Sequence, residues 1–263
     1  MAHRPRTRPD TGAWIVTGAF PYALTDDRRR TLGLIVLQSD ETVEEDLHRL
    51  CTPAARLLVS RVPSGTEVTT DTLAEMERHL TTAAGLFPRG LAFDAVGYAC
   101  TSGSAVIGAE TVARNIRHGV PADAVTTPVT ALVAACRHAG AGRIALLSPY
   151  VADVSDRLRA VLRGAGIDTP AFGSFDEANE ARVARIDAPS IDAAARAVAA
   201  QAPVDAVFLS CTNLRALDVL APLASALDCP VWSSNLVLGW DLMRQAGVIP
   251  ETTSPLDLLT GAG

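Results

Sequence analysis

The sequence predicts an α/β fold of two homologous lobes, with helices flanking buried parallel sheets. Three observations carry this. Short β-rich apolar runs alternate with amphipathic stretches rich in Ala, Leu and Arg, one ten-residue segment recurs, and the strands upstream of its two copies recur at nearly the same offset. Runs without polar alternation belong to strands covered on both faces, and helix-length spacers between them call for parallel βαβ connections.

Taken in order, residues 1–31 mix Arg, Pro, Asp and Thr with a short apolar patch near Trp14 and read as an N-terminal arm. Trp14, Phe20 and Tyr22 are costly to leave in water, so the arm is expected against the body or a neighbouring subunit. Strands are expected at 32–37, 56–60, 93–98, 123–126, 143–147, 168–172, 204–209 and 230–232. Helices are expected at 41–50, 70–86, 106–118, 129–139, 151–164, 176–185, 190–201, 213–227 and 236–246.

The recurring segment is Phe93-Asp-Ala-Val-Gly-Tyr-Ala-Cys100-Thr-Ser, which returns as Val204-Asp-Ala-Val-Phe-Leu-Ser-Cys211-Thr-Asn, 111 positions later. At nearly that offset, the strand ending toward Asp40 matches the strand ending toward Tyr150. The chain therefore divides into one lobe of residues 32–118 plus 222–263 and a second of residues 119–221. Ligands of open parallel sheets bind beyond the carboxyl ends of the strands. Asp40, Cys100, Tyr150 and Cys211 all follow a strand, which puts the expected active site in the cleft between lobes.

Composition narrows the partner. With 263 residues, 48% of them hydrophobic, the chain can bury a sizeable core. A net charge of -6 and no basic cluster interleaved with aromatics argue against nucleic acid and an anionic membrane surface, leaving a small molecule. The opening MAHRPRTRPD lacks the apolar stretch of a secretory signal, and no apolar run approaches the ~20 residues of a membrane span, so a cytoplasmic location is expected.

Five cysteines without CxxC spacing read as free thiols, neither a disulfide framework nor a zinc site. His3, His48, His79, His118 and His138 lack metal-ligand spacing and read as solvated helix positions, so no metal is expected. Gly164-Ala-Gly166 follows a helix and lacks a third glycine, as in a turn and not a dinucleotide loop.

A lone Cys after an apolar strand is ordinarily a small buried hydrophobe. Two at equivalent positions, each followed by small hydroxyl or amide residues, point instead to chemistry, while Cys51, Cys136 and Cys229 read as structural. With each cysteine between a strand end and a helix start, the amides of Thr101 and Ser102, and of Thr212 and Asn213, are expected near a helix N-terminus. That environment holds a carboxylate and lowers a thiol pKa.

Gln38-Ser-Asp-Glu-Thr-Val-Glu44, Cys100-Thr-Ser-Gly103 and Ser210-Cys-Thr-Asn213 resemble the Asp/Glu racemase superfamily over about residues 32–245, within it the maleate cis-trans isomerase and arylmalonate decarboxylase branch. Arg61-Val-Pro-Ser-Gly65 and Ala92-Phe-Asp-Ala-Val-Gly97 are particularly similar to ectoine utilisation protein A. The resemblance implies two pseudosymmetric lobes, each a four-stranded parallel sheet flanked by helices, and a small carboxylate between two cysteines, with no cofactor.

In the racemases one thiolate removes an α-proton while the other thiol donates to the opposite face. In maleate isomerase the first cysteine adds to the double bond, the intermediate rotates, and elimination gives fumarate. Carried over, Cys100 matches the nucleophile or first base, Cys211 the second, Tyr150 a substrate-facing tyrosine and Asn179 a carboxylate-binding asparagine.

Asp40 departs from the isomerase pattern, which has Asn there. An ionised Asp only accepts hydrogen bonds and repels a carboxylate, so it favours an ammonium-bearing substrate, although Asp is also a good helix N-cap. The leading expectation is an isomerase or racemase acting on a small carboxylate, such as an amino acid or diamino acid, in a homo-oligomer, a dimer or tetramer. The alternatives are a decarboxylase, whose relatives have Gly at the first cysteine position, and a binding protein that lost catalysis.

Overall fold

The computed structural model describes residues 19–260. Its first sheet consists of β1 (Arg30–Leu37), β2 (Ala55–Val62), β3 (Phe93–Ala99) and β4 (Ala122–Thr126) in the order β2-β1-β3-β4, all parallel. The second has β5 (Arg143–Ser148), β6 (Asp168–Ser174), β7 (Ala206–Leu209) and β8 (Val231–Ser233) in the order β6-β5-β7-β8, again parallel. The two orders are one topology used twice, as the recurring segment requires.

The first lobe carries α1 (Val43–Leu50), α2 (Thr70–Glu75), α3 (Glu77–Ala84), α4 (Thr101–Ile107), α5 (Ala109–Gly119) and α6 (Pro128–Ala139). The second carries α7 (Ala152–Gly164), α8 (Glu180–Val183), α9 (Ala188–Ala199) and α10 (Leu217–Leu227), after which come α11 (Ser234–Gln245) and α12 (Asp257–Thr260). All eight expected strands form. The helix expected at 106–118 is two helices, because Gly108 at φ +89° cannot continue a right-handed helix. The one expected at 176–185 shrinks to α8, since Asp176 is left-handed at φ +54° and the Asn179 side chain caps the shortened helix.

The lobe boundaries expected at 118/119 and 221/222 need correction. β4 pairs with β3 and completes the first sheet, whereas β8 pairs with β7 and completes the second. The chain leaves each lobe only after its fourth strand, because a three-stranded sheet would leave backbone N–H and C=O groups along one edge of the buried β3 or β7 unpaired. It returns at Ser234, where α11 packs on β3, β4, α1 and α6. Residues Ser234–Met243 of α11 are all buried, so this helix is enclosed on every side.

Residues 19–29 have no regular secondary structure, and Phe20, Tyr22 and Leu24 are 74%, 85% and 89% exposed, so these three side chains do not pack on the body, although Asp27 pairs with Arg56 of β2 at 3.6 Å. Trp14 lies outside the described residues. Among the described residues no helix is long and apolar enough to cross a membrane.

Candidate active site

Cys100 follows β3 and is the N-cap of α4, its Sγ accepting the Gly103 amide at 3.1 Å. The residue at 103 must be Gly: a Cβ there would lie 2.7 Å from the Tyr98 hydroxyl and 2.9 Å from Cys100 Sγ. Tyr98 sits two positions before Cys100, hence on the same face of the strand. Burial pushes the Cys100 thiol up to about 12, outweighing the Gly103 amide and Tyr98 hydroxyl, which favour the thiolate.

Cys211 follows β7 but differs in backbone. Its φ is +101°, a region that side chains avoid, and no helix begins until Leu217. Its Sγ accepts the Asn213 amide at 3.2 Å and lies 2.9 Å from the Tyr150 hydroxyl. Burial drives this thiol well above its ordinary range, with the charges of Glu180 and Asp40 adding to the effect. The expectation that both thiols sit at helix N-termini with lowered pKa is therefore corrected: only Cys100 caps a helix, and desolvation dominates at both.

A shared frame holds the two cysteine loops together. The Cys211 amide donates to Ser234 Oγ at 3.0 Å, and that oxygen lies 2.7 Å from Thr101 Oγ1. Thr212 Oγ1 donates to the Ala99 carbonyl of the other sheet at 3.2 Å. Asn213 reaches three ways: Oδ1 accepts the Glu41 amide at 2.9 Å, its carbonyl accepts the Thr42 hydroxyl at 3.0 Å, and Nδ2 donates to Glu180 Oε2 at 2.8 Å. Ser102 is buried on the first turn of α4.

Asp40 comes into the same cluster, only 4% exposed, its charge felt by both thiols and by Glu180. Oδ1 accepts the Thr42 and Val43 amides, both at 2.8 Å, while Oδ2 is buried without a partner. Thr212 stands close to this carboxylate, but the one proton of its hydroxyl is engaged by Ala99. Burial raises the Asp40 pKa, opposed by those two amides. The Arg61 guanidinium fixes the loop from behind, donating to the carbonyls of Leu37, Gln38 and Asp40 at 2.9, 3.3 and 3.1 Å.

Asn179 caps α8, its Oδ1 accepting the Arg182 amide at 3.1 Å, and its neighbour Glu180 is the side chain that enters the cluster. Glu180 is 3% exposed, and its Oε1 accepts the Tyr150 hydroxyl at 2.7 Å. Sequence reasoning missed Glu180, Ser234 and Tyr98. The period of two along β3 was a usable signal for Tyr98; the other two arrive from distant segments.

The buried charged residues among those described are Asp40, Asp46, Glu180 and Asp241, all acidic. Among the described residues no group of three or more His, Cys, Asp or Glu side chains is placed to hold a metal ion. Over the top, Val68 donates to the Ala178 carbonyl at 3.0 Å and Glu180 to the Thr66 carbonyl at 3.2 Å, so a loop from each lobe closes the cleft.

Residues 93–258 match the sequence model of the family described as Arylmalonate decarboxylase. The chain belongs to that family. Arylmalonate decarboxylase of Bordetella bronchiseptica is 34% identical over 146 residues, 55% of this chain and 60% of that protein, so the alignment spans about three-fifths of the relative's length.

Among solved structures, a liganded double mutant of arylmalonate decarboxylase, with one Gly changed to Cys and one Cys to Ser, is 27% identical at a TM-score of 0.75. It covers 87% of this chain and 98% of the other. A Cys-to-Ala maleate isomerase from Pseudomonas putida S16, holding maleate, is 23% identical at a TM-score of 0.74, covering 89% and 98%. Both have the architecture described above.

Proposed function

We propose that this family member is a cofactor-independent isomerase or racemase whose two thiols act on opposite faces of one small carboxylate. The observation that carries the reading is the pairing of Cys100 and Cys211 through Ser234, which ties one thiol-bearing loop from each sheet to the same hydroxyl. One sulfur removes a proton from the carbon next to the carboxylate, and the other returns one from the far side. Burial keeps the carbanion from water. The closing loops must part to admit substrate, since Cys100 and Cys211 are 5% and 3% exposed.

Asp40 supports an amine-bearing substrate, an amino acid or diamino acid. A buried carboxylate oxygen without a donor, in a cluster whose buried charges are acidic, is matched by an ammonium group and opposed by a second carboxylate. A place in ectoine breakdown is supported by the likeness of Arg61–Gly65 and Ala92–Gly97 to ectoine utilisation protein A. The bare Phe20, Tyr22 and Leu24 support an assembly of two or four copies. A cytoplasmic location suits five free thiols.

A second reading, decarboxylation, is favoured by the Bordetella bronchiseptica relative. Cys100 weighs against it, because the decarboxylases that this chain resembles have Gly at that position. Proton NMR in deuterium oxide separates the readings, using a panel of 2,4-diaminobutyrate and its acetylated forms, aspartate, maleate and phenylmalonate. Loss of an α-proton signal without a new product means racemisation, fumarate means isomerisation, and a decarboxylated product promotes the lyase. Full activity retained by both Cys100→Ala and Cys211→Ala sinks the two-thiol mechanism.

A further inference from the structure

The Tyr150 hydroxyl has a single proton, and it is directed at Glu180 Oε1, 2.7 Å away. Its oxygen is therefore left to accept from Cys211 Sγ, 2.9 Å away on the other side. Thiol, phenol and carboxylate form a one-way chain whose three members are each at most 5% exposed. Glu180 Oε2 is held by Asn213 Nδ2 at 2.8 Å, so the carboxylate cannot swing out of line. Cys100 has no such chain: its partners are the Gly103 amide and Tyr98, whose own hydroxyl faces Met76 Sδ at 3.7 Å.

We infer that Glu180 is the proton acceptor that ionises Cys211, acting through Tyr150. The Cys211 S–H proton moves to the Tyr150 oxygen as the Tyr150 O–H proton moves to Glu180 Oε1. The negative charge passes from carboxylate to sulfur, and no proton is exchanged with water. Tyr150 ends as it began, a neutral phenol. Burial raises Glu180 toward accepting a proton, which narrows the gap to a thiol that burial has also raised. The other titratable groups whose charge reaches the three are Asp40 and Cys100. Cys211 is then the thiol that begins as base and Cys100 the one that begins as acid, which the symmetry of the fold does not specify. Glu180 is a positioning residue here, because it acts through another group.

The chain has a signature that needs no substrate. While thiol and carboxylate share one proton, the thiolate fraction depends on their internal exchange and not on pH. Alkylation of Cys211 by iodoacetamide, followed peptide by peptide by mass spectrometry from pH 6 to 10, is expected to show a plateau through neutrality. In Glu180→Gln the plateau is expected to become a rise of about tenfold per pH unit, as for an isolated thiol. Tyr150→Phe cuts the chain while leaving the carboxylate, and is expected to do the same.

A merely electrostatic Glu180 predicts the opposite sign, since removing its charge would speed alkylation of both Cys100 and Cys211. A wild-type profile that rises throughout, a plateau that survives both substitutions, or Cys211 unlabelled at every pH overturns the inference. Circular dichroism melting of each variant separates a lost chain from a lost fold.

Discussion

Thr212 donates its hydroxyl proton to the carbonyl of Ala99 at 3.2 Å, a hydrogen bond between the residue after one cysteine and the residue before the other. Both groups are buried, so the bond has no competing water and ties the two cysteine-bearing loops to each other. Thr212→Val keeps the shape and removes the donor, leaving a buried carbonyl with one bond fewer. The expected cost is about 1 kcal/mol in urea unfolding, with a larger proportional loss in kcat than in KM. An unchanged kcat alongside the stability loss would show that the bond serves only the fold.

The backbone at Cys211 carries strain that a glycine would release. At φ +101°, Cys211→Gly is expected to be about 1 kcal/mol more stable than Cys211→Ala, although Gly is the less favourable of the two at ordinary positions. Comparing the two variants cancels the lost sulfur, and thermal melting reads the difference. Equal stability would mean that the loop relaxes once the thiol is gone.

Gly103 gives the first thiol its room. Gly103→Ala puts a Cβ within 3 Å of both Tyr98 Oη and Cys100 Sγ, so one of them must move. Destabilisation of about 1–3 kcal/mol is expected, together with loss of turnover and a changed alkylation rate at Cys100 but not at Cys211. Normal activity in this variant would place Cys100 outside the reacting geometry.

Asp46, on α1, is buried with only the Asn235 amide donating to it, at 2.8 Å, and burial pushes its carboxyl to about 6. Below about pH 4 the group is neutral in folded and unfolded chains alike. As pH rises through 6 the folded chain must hold a desolvated anion, so the stability of the neutral form is lost between these values. Asp46→Asn is expected to gain up to about 3 kcal/mol on wild type between pH 4 and pH 7, read by urea midpoints at each pH. A difference independent of pH would show that the carboxyl titrates normally.

Glu41 and Arg185 pair across the lobes at 3.0 Å, but both are largely exposed, so removing this pair is expected to change stability by less than about 1 kcal/mol. Any larger effect on KM than on melting would assign the pair to cleft closure.

Residues 93–100 and 204–211 spell out in one dimension that a strand leads to a cysteine twice, and the apolar period places all eight strands. These are local properties: burial on two faces demands continuous apolar runs, and a duplicated gene leaves its spacing in the chain. The cysteine pair was legible for the same reason. The lobe boundaries were less so, because sheet membership of β4 and β8 depends on which edge each strand joins, and both are short runs without a distinctive pattern.

Glu180, Ser234 and the contrast between the two thiols were settled only by tertiary structure. Glu180 reads in sequence as one more acidic residue in Glu177-Ala-Asn-Glu180, and it becomes part of the site because a left-handed Asp176 and the Asn179 cap turn it inward. Ser234 lies more than 20 positions from Cys211 and more than 130 from Thr101, yet it joins them. Thiol pKa depends on desolvation by every surrounding segment, a sum over the folded molecule that no local motif contains. The sequence by itself determined the scaffold and the two sulfurs; the fold decided which carboxylates reach them, because buried charge is placed by packing and not by spacing along the chain.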